Sequence, residues 1–178
     1  TNLFEKIKGQ PIEYKPKYKP LLDDEALLSF EQEDGIRLSH YNLLVNTNGI
    51  QKAIGLKSRT RIFCDLKPRS SAWVIFQAIL PIYCGCIFDH SNPEITFGNS
   101  KNSFNLRADI KNIAEFAKND IGLRPENTAA ISIGSEPIHL TSYSLEKTKM
   151  MIKGHSVMMG YLNELKNESS FYMEGLHI

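Results

Sequence analysis

Apolar and polar positions along the chain repeat with two periods, and the two periods alternate. Apolar runs of strand length occur at 25–30, 62–64, 94–98, 127–133 and 147–154. Helical spacing of apolar residues occurs between these runs, at 40–54, 71–80 and 105–121. Strands that alternate with helices are typical of α/β proteins. The pattern therefore predicts an α/β fold with a largely parallel sheet and flanking helices.

Residue types that are common at helix ends define the limits of two of the predicted helices. Ser39 is a residue type that caps helix N-termini, and Gly55 supplies a stop, so a helix is expected between them. A second helix is expected from Ser71 to Leu80, followed by a turn at Pro81 and a buried strand at 84–88. The third helix, amphipathic, would end at Gly122.

The chain divides by composition into an arm and a domain. Residues 1–22 contain "KPKYKP", in which lysines alternate with prolines and a tyrosine, and this composition indicates an extended, solvated segment. Residues 23–178 carry the alternating pattern and are expected to form one α/β domain. With 178 residues, of which 42% are hydrophobic, the chain can bury a substantial core.

Charge and hydropathy exclude two classes of partner. The formal net charge is +1, and no basic cluster suits a nucleic-acid surface, so nucleic acid is not expected as a partner. Residues 70–88 carry no formal charge and approach the length of a membrane span. Gln77, Pro81 and Gly85 interrupt this stretch, so a buried helix and strand explain it better than membrane insertion.

The three cysteines, Cys64, Cys84 and Cys86, lie in apolar segments. Their odd number and their surroundings predict reduced thiols in an intracellular protein, either cytoplasmic or organellar, with a mitochondrion as one option, rather than a secreted protein. Cys84 and Cys86 are too closely spaced for a zinc knuckle and have no second pair of ligands nearby. No metal site is predicted.

Three loops are candidates for binding because ligands of α/β sheets sit at the carboxyl ends of strands. These loops are 31–39 after the first predicted strand, 98–102 after a later one, and 134–137 after the run at 127–133. We expect the three loops to share one edge of the sheet.

Five segments occur in a fixed order along 23–178. They are "LLSFEQEDGIRLSHYNLL", "RIFCDLKPRSSAWVIFQAILPIYCGC", "ITFGNSKNSFNL", "NTAAISIGSEPI" and "MMIKGHSVMMGYLNE". Their order resembles the adenylate-forming (AMP-binding) ligase superfamily, and "AILPIYCG" and "IGSEPI" resemble its fatty acyl-AMP ligase branch. The resemblance implies a reduced version of the N-terminal ligase subdomain and the formation of acyl-adenylate from ATP and a fatty acid.

The resemblance also implies positions for the ligands. Gly35 would lie in the phosphate loop, and Gly134, Ser135, Glu136 and Pro137 would form the loop that contacts adenine. The turn of Gly98, Asn99 and Ser100 would line the acyl pocket. ATP or AMP and Mg²⁺ are expected as cofactors only if the family's reaction is retained.

The departures from the family's pattern concern its chemistry. The family's Ser/Thr/Gly-rich phosphate loop with its lysine is replaced by Glu31, Glu33 and Asp34, whose carboxylates repel a triphosphate. The family's histidine pair corresponds to Arg69, Ser70 and Ser71, and its "YGxxE" motif has no counterpart that the sequence pattern reveals. The chain also ends before the family's "TGD" aspartate. We therefore expect no catalytic residues in this chain.

Two hypotheses remain open at this stage. The first is a catalytically degenerate homologue or fragment of a fatty acyl-AMP ligase, with at most weak binding of a nucleotide or of a fatty acyl or adenylate ligand. The second is a structural or accessory subunit that uses the reduced fold as a scaffold. A shortened sheet leaves an exposed edge, which the N-terminal arm or a partner protein would have to cover.

Overall fold

A computed structural model describes residues 16–31, 33–98, 102–146, 149–172 and 175–178, together with Lys8. The strands of these residues are β1 Glu25–Ser29, β2 Ile36–Ser39, β3 Arg61–Cys64, β4 Ile87–Phe88, β5 Ile95–Gly98, β6 Phe104–Arg107, β7 Asp120–Leu123, β8 Ala130–Ile133, β9 Glu136–Pro137, β10 Thr141–Glu146, β11 Lys149–Gly154, β12 Gly160–Tyr161, β13 Phe171–Tyr172 and β14 Gly175–His177. The helices are α1 His40–Ile54, α2, which runs without a break through Ser71–Trp73, Val74–Ile79 and Leu80–Cys84, and α3 Glu164–Ser170. Short 3-10 turns lie at Ile113–Glu115 and Pro125–Asn127.

The largest sheet has seven strands in the order β4-β3-β5-β6-β7-β8-β9. The strands from β4 to β7 pair in parallel, whereas β8 is antiparallel to β7 and β9 is antiparallel to β8. The predicted α/β fold with a largely parallel sheet is therefore confirmed. Two smaller antiparallel sheets accompany it, in the orders β1-β2-β12 and β10-β11-β14-β13.

The main core lies between the parallel strands and helices α1 and α2. Ile62, Phe97, Ile50 and Phe76 are each fully buried, and the rings of Phe76 and Phe97 lie 5.0 Å apart between centroids. Burying a side chain of this size stabilises a fold by roughly 1.5–3 kcal/mol. This contact fixes α2 against the carboxyl half of β5.

Helix α1 has the ends that the sequence predicts. The hydroxyl of Ser39 accepts a hydrogen bond from the backbone N–H of Asn42, and the Asn42 side chain accepts one from the backbone N–H of Ser39, which completes a capping box. Gly55 ends the helix in the left-handed conformation with φ of 73°.

Helix α2 differs from its prediction because it passes through Pro81 and ends at Cys84. The middle of the helix is a π-helical turn, in which the Leu80 N–H bonds to the carbonyl of Ile75, five residues earlier. The wider turn moves the preceding carbonyls from their α-helical positions, and a proline, which has no N–H to pair, is accommodated directly after it. The strand expected at 84–88 is therefore reduced to β4.

The prediction of an amphipathic helix over 105–121 is wrong. This stretch forms β6, a 3-10 turn at Ile113–Glu115, and β7. Ile113 packs with Ile131 and Ile152 in a second buried cluster, so its apolar side chain is buried by the sheet rather than by a helix face. Pairing with distant strands outweighed the local helical spacing.

The sequence pattern also did not reveal the strands β2, β10 and β12–β14 of the smaller sheets. Of the predicted arm, residues 16–22 are described and exposed, and the remainder lies outside the described residues except for Lys8. Among the helices of the described residues, none combines the length and the apolar character needed to cross a membrane.

Candidate functional site

Charged side chains converge where the parallel strands β3 and β7 end. The chain leaves β3 toward the N-terminus of α2, and it leaves β7 toward the 3-10 turn at Pro125–Asn127. The turn between β1 and β2 contacts the first of these places, because its Glu31 reaches Ser71. The carboxyl edge of a parallel sheet is the usual position of a ligand site, so this edge is the candidate site.

The acidic turn, defined as Glu31, Glu33, Asp34 and Gly35, places one carboxylate on the N-terminus of α2. Oε1 of Glu31 accepts hydrogen bonds from the backbone N–H of Ser71 at 2.6 Å and from the Ser71 hydroxyl at 3.0 Å. It also accepts one from the hydroxyl of Ser29 at 3.0 Å. A protein carboxylate thus takes the helix N–H and hydroxyl donors that a bound anion would need.

The second carboxylate of the acidic turn is paired with a lysine from α3. Nζ of Lys166 lies 2.6 Å from Asp34 Oδ2, and the Asn163 side chain donates to Asp34 Oδ1 at 3.1 Å. The Lys166 ammonium, followed by the Asn163 amide, holds the pKa of Asp34 below its ordinary value. The lysine is therefore engaged by the protein's own carboxylate.

Backbone contacts hold the acidic turn against the segment before α3. The N–H of Leu162 donates to the carbonyls of Asp34 and Gly35 at 3.1 and 3.0 Å. Gly35 has φ of 59°, and a Cβ at this position would lie 2.7 Å from Cδ1 of Leu162. The left-handed backbone conformation favours a glycine here, and a larger residue would also have to displace the end of the Leu162 side chain.

Glu126 is a buried carboxylate that the sequence reasoning missed. It is 2% exposed, and its Oε2 lies 3.4 Å from Nε of Arg124, while the hydroxyl of Tyr161 donates to its Oε1 at 3.3 Å. Burial, and then the nearby Glu126 carboxylate, raises the pKa of Tyr161. A polar stretch that directly follows a strand indicates a candidate site, and Glu126 lies in such a stretch after β7. The sequence pattern predicted a helix over 105–121 instead, so the end of β7 was not recognised.

One chain of contacts joins Glu126 to the acidic turn. Tyr161 bonds to Glu126 through its hydroxyl, and Nζ of Lys166 lies 4.1 Å from the centroid of the Tyr161 ring. Lys166 in turn pairs with Asp34. Two cationic groups of this edge, Arg124 and Lys166, are each paired with a carboxylate of the same chain.

Two clefts open beside these groups. One, of about 360 Å³, lies next to Glu31 and is lined by residues that include Phe30, Arg69 and Trp73. Another, of about 310 Å³, is lined by residues that include Lys111, Arg124 and Met150. Among the described residues, no group of three or more His, Cys, Asp or Glu side chains is arranged to hold a metal ion.

The loop predicted to contact adenine lies at a different edge of the sheet. Gly134, with φ of 57°, turns the chain from β8 to β9, and its N–H donates to the carbonyl of Asp120 at the start of β7. Because β8 runs antiparallel to β7, this turn lies where β7 begins. The expectation that it shares the carboxyl edge is wrong, since the sequence did not reveal the reversal of β8.

The remaining residues of that loop have structural contacts. The carbonyl of Ser135 accepts a hydrogen bond from the Tyr143 hydroxyl at 2.7 Å, and Glu136 and Pro137 are exposed in β9. Burial, and then the Glu136 carboxylate, raises the pKa of Tyr143. A role of these residues in adenine binding stays a prediction.

The turn predicted to line the acyl pocket is described only at its first residue. Gly98 ends β5 and is buried, and a Cβ there would lie 2.5 Å from Nδ2 of Asn102. Asn99 and Ser100 lie outside the described residues. Their role in an acyl pocket also stays a prediction.

Comparisons with known proteins identify the fold through structure rather than sequence. No family model matches the chain, and no curated protein matches its sequence. Among solved structures, the chain is similar to McyG A-PCP complexed with phenylalanyl-adenylate, with a TM-score of 0.75 and 16% identity over 97% of this chain and 41% of that one. It is also similar to apo MatB from Rhodopseudomonas palustris, with a TM-score of 0.74 and 14% identity over 99% of this chain and 48% of that one.

A third similar structure is the anthranilate CoA ligase AuaEII in complex with anthranoyl-AMP, with a TM-score of 0.71 and 16% identity over 97% of this chain and 47% of that one. The chain thus spans less than half the length of these three structures. At such low identity the likeness shows the fold alone. Over nearly its whole length, this chain has the fold of part of an adenylate-forming ligase, as the sequence resemblance predicted.

Proposed function

We propose that the chain is a catalytically degenerate homologue or fragment of an acyl-adenylate-forming ligase of the fatty acyl-AMP type. A complete relative would join ATP and a fatty acid to give acyl-adenylate and pyrophosphate. This chain would bind a nucleotide or an acyl ligand weakly at most, and it would not turn over. Neither ATP nor Mg²⁺ is then a working cofactor of the chain.

The observation that supports this proposal is the carboxylate of Glu31 on the N-terminus of α2. Adenylation is an in-line attack on the α-phosphate and requires N–H donors, cations or Mg²⁺ that stabilise the developing negative charge. Here the N–H of Ser71 is already bonded to Glu31 at 2.6 Å. A triphosphate would have to displace a carboxylate before it could reach this donor.

Charge supports the same proposal. At 4–6 Å, a carboxylate and a phosphate charge repel each other by about 3–4 kcal/mol at an effective dielectric constant near 20. The lysine that could offset this repulsion, Lys166, is paired with Asp34 at 2.6 Å. The acidic turn therefore offers a net repulsive surface to ATP.

The acyl part of the proposal is supported by the cleft next to Glu31. Leu28, Phe30, Trp73 and Val74 give it apolar walls, and such walls suit a hydrocarbon chain. The fatty acyl preference itself comes from the sequence resemblance of "AILPIYCG" and "IGSEPI".

The test is ATP–pyrophosphate exchange with a panel of fatty acids and Mg²⁺. A complete fatty acyl-AMP ligase assayed in parallel provides the positive control, and circular dichroism confirms that the chain is folded. We expect exchange no faster than in a blank without protein. Exchange that depends on a fatty acid and scales with the chain's concentration would refute the proposal.

A second candidate is a non-catalytic structural subunit that uses the reduced fold as a scaffold. It is supported by the apolar surface where α2 turns into β4, because Ile82 is 84% exposed and Ile87 and Phe88 are 49% and 41% exposed. Strand β4 pairs only with β3 among the described strands, so a sheet edge is open beside this surface. A protein partner would cover both.

Size-exclusion chromatography of the natively expressed chain tests this alternative. A scaffold subunit would elute in a stoichiometric complex, and Ile87→Lys would release it as a species of monomer size. Leu165→Lys serves as a matched control because Leu165 is 77% exposed on α3 and is not part of this surface. Elution of the native chain at monomer size, with or without the substitution, would exclude the scaffold role.

A further inference from the structure

Strand β4 forms one edge of the largest sheet, and among the described strands it pairs with β3 alone. The N–H of Ile87 donates to the carbonyl of Thr60 at 3.0 Å. The N–H of Asp89 donates to the carbonyl of Ile62 at 2.9 Å. Because successive backbone groups of a strand point in opposite directions, the N–H and the carbonyl of Phe88 point away from β3. They lie at the open edge, where a further strand can pair with them.

The side chains at this edge favour such a pairing. Ile87 and Phe88 are both exposed, and so are Ile82 and Tyr83 at the end of α2. Strand β4 contains neither a proline nor a charged residue, which are features that protect the edges of many sheets from pairing. The edge therefore combines an unpaired backbone with an apolar surface.

Opposite charges flank β4. The N–H of Arg59 donates to the carbonyl of Gly85 at 2.7 Å, so the exposed residues Lys57 and Arg59 lie beside the start of the strand. Asp89 follows the end of the strand directly, and its side chain is 28% exposed. The edge thus has a basic end and an acidic end.

The carboxylate of Asp89 is only partly neutralised within the chain. Hydrogen bonds from the backbone N–H groups of Asn92 and Ser91 hold its pKa below the ordinary value, so it is ionised at neutral pH. The Arg61 guanidinium lies 4.0 Å from this carboxylate and is shared with Glu94, which it contacts at 3.1 Å. The acidic end of the edge can therefore attract a further cation.

We propose that β4 pairs with β4 of a second copy of this chain, antiparallel and about a twofold axis at Phe88. In this arrangement, the Phe88 N–H of each copy donates to the Phe88 carbonyl of the other. The inference rests on the scaffold role proposed above and names its partner. Each copy covers the open edge and the apolar surface of the other.

The charges at the ends of β4 are the reason for choosing a second copy as the partner. A twofold contact brings a surface against itself, so the surface has to be complementary to itself. Antiparallel pairing reverses one β4 against the other and brings the Arg59 end of each copy beside Asp89 of the other. The opposite charges therefore meet twice, which a parallel alignment of the two strands would not achieve.

The contact is small, because its centre is a strand of two residues with four exposed apolar side chains around it. Interfaces that bury less than about 1,200 Å² are typical of weak or transient complexes. We therefore expect a dimer that dissociates on dilution, with a Kd of about 1 to 100 μM.

Sedimentation equilibrium of the purified full chain, at about 1 to 300 μM, tests the proposal. We expect a monomer–dimer equilibrium whose limiting mass is twice the 20.2 kDa of one chain. Ile87→Lys is expected to weaken the dimer at least about tenfold, because a lysine on an edge strand opposes pairing. Leu165→Lys, an exposed change on α3, is the control and should dimerise as the unsubstituted chain does. A monomer over the whole range would overturn the proposal.

Charge reversals test the antiparallel arrangement. Arg59→Glu and Asp89→Lys are each expected to weaken the dimer about tenfold, because each change acts at both symmetric contacts. An equal mixture of the two variants should associate more tightly than either alone, since opposite charges then meet at both contacts. Lys118→Glu, an exposed change near the start of β7, is the control and should have no effect. A mixture no tighter than the separate variants would overturn the arrangement.

Amide hydrogen exchange tests whether the contact lies at β4. The Phe88 amide is expected to exchange more slowly as the chain concentration rises through the Kd, and to stay fast in Ile87→Lys. A dimer whose Phe88 amide exchanges as fast as that of the monomer would overturn the proposal. A purified chain that is monomeric, but that elutes in a complex when natively expressed, would retain the scaffold role and overturn the second copy as its partner.

Discussion

Asn46 is the polar residue that ties α1 to the central sheet. It is fully buried, and its amide nitrogen donates to the carbonyls of Asn127 and Ala130 at 2.8 Å each. Its oxygen accepts from the N–H of Ala130 at 3.2 Å. One side chain thus satisfies three backbone groups at the turn that carries Glu126.

Asn46→Leu is expected to lower the free energy of unfolding by roughly 1–3 kcal/mol, because the buried N–H of Ala130 loses the acceptor that Asn46 provides. The carbonyls of Asn127 and Ala130 keep their bonds from Ala129 and Asn127. Asn48→Ala is the matched control on the same helix, since Asn48 donates only to the Tyr83 hydroxyl at 2.8 Å among its side-chain contacts given by the structure. The control should cost about 1 kcal/mol or less. Urea unfolding measures both, and equal losses would contradict this account of Asn46.

The thiol of Cys84 should respond to pH in a way that reports its surroundings. Burial, and after it the neighbouring Cys86 thiol, raises its pKa to about 11 from the ordinary value of 9.0, so the thiolate is scarce at neutral pH. In the Cys86→Ser variant, alkylation of Cys84 by iodoacetamide is expected to accelerate about tenfold per pH unit between pH 7 and 9. The effect of Cys86 on the pKa of Cys84 is absent in this variant, so only burial remains to raise that pKa. An alkylation rate that reaches a plateau below pH 9 would show that burial does not raise the pKa.

The acidic turn is held by an ion pair between two elements that are distant in sequence. Asp34 and Lys166 are 132 residues apart, and the N–H of Leu162 bonds to the same turn. Asp34→Asn is expected to speed the amide hydrogen exchange of Leu162 because the pair that closes the turn is lost. Glu33→Gln, an exposed change in the same turn, is the control and should leave this amide unchanged.

The pH dependence of this ion pair follows from the lowered pKa of Asp34. A carboxylate whose pKa is lower in the folded state stabilises the fold above its ordinary value, here 3.8, and loses that contribution as the pH falls below it. The stability difference between the unsubstituted chain and Asp34→Asn should therefore be largest near neutral pH and should shrink below pH 3.8. A difference that stays constant down to pH 2 would contradict the ion pair.

Elements with local signals at both ends were predictable, and elements defined by distant partners were not. Ser39 and Gly55 mark α1 in the sequence, and the structure begins and ends the helix at these residues. Strand β10 has no such marks and is defined by its pairing with β11. The stretch at 105–121 had a misleading helical period, because its isoleucines pack against strands of two different sheets.

At the scale of the whole molecule, the candidate site was only partly predictable. The acidic character of the turn can be read directly from the sequence. The positions of Glu126, Tyr161 and Lys166 cannot be read from the sequence, because all three are more than 90 residues from the turn. Lys166 contacts the turn from α3, and Tyr161 of β12 connects Glu126 to Lys166. The antiparallel course of β8 was likewise hidden, and it moved the Gly134 turn to the other edge.

The molecule retains a ligase-like fold while its own carboxylates occupy the candidate anion site. Isothermal titration calorimetry with ATP and Mg²⁺ tests this claim most directly. We predict no saturable binding at ATP concentrations up to about 1 mM, which corresponds to a binding free energy weaker than about −4 kcal/mol. Saturable binding with a micromolar Kd would contradict the claim that the acidic turn excludes the nucleotide.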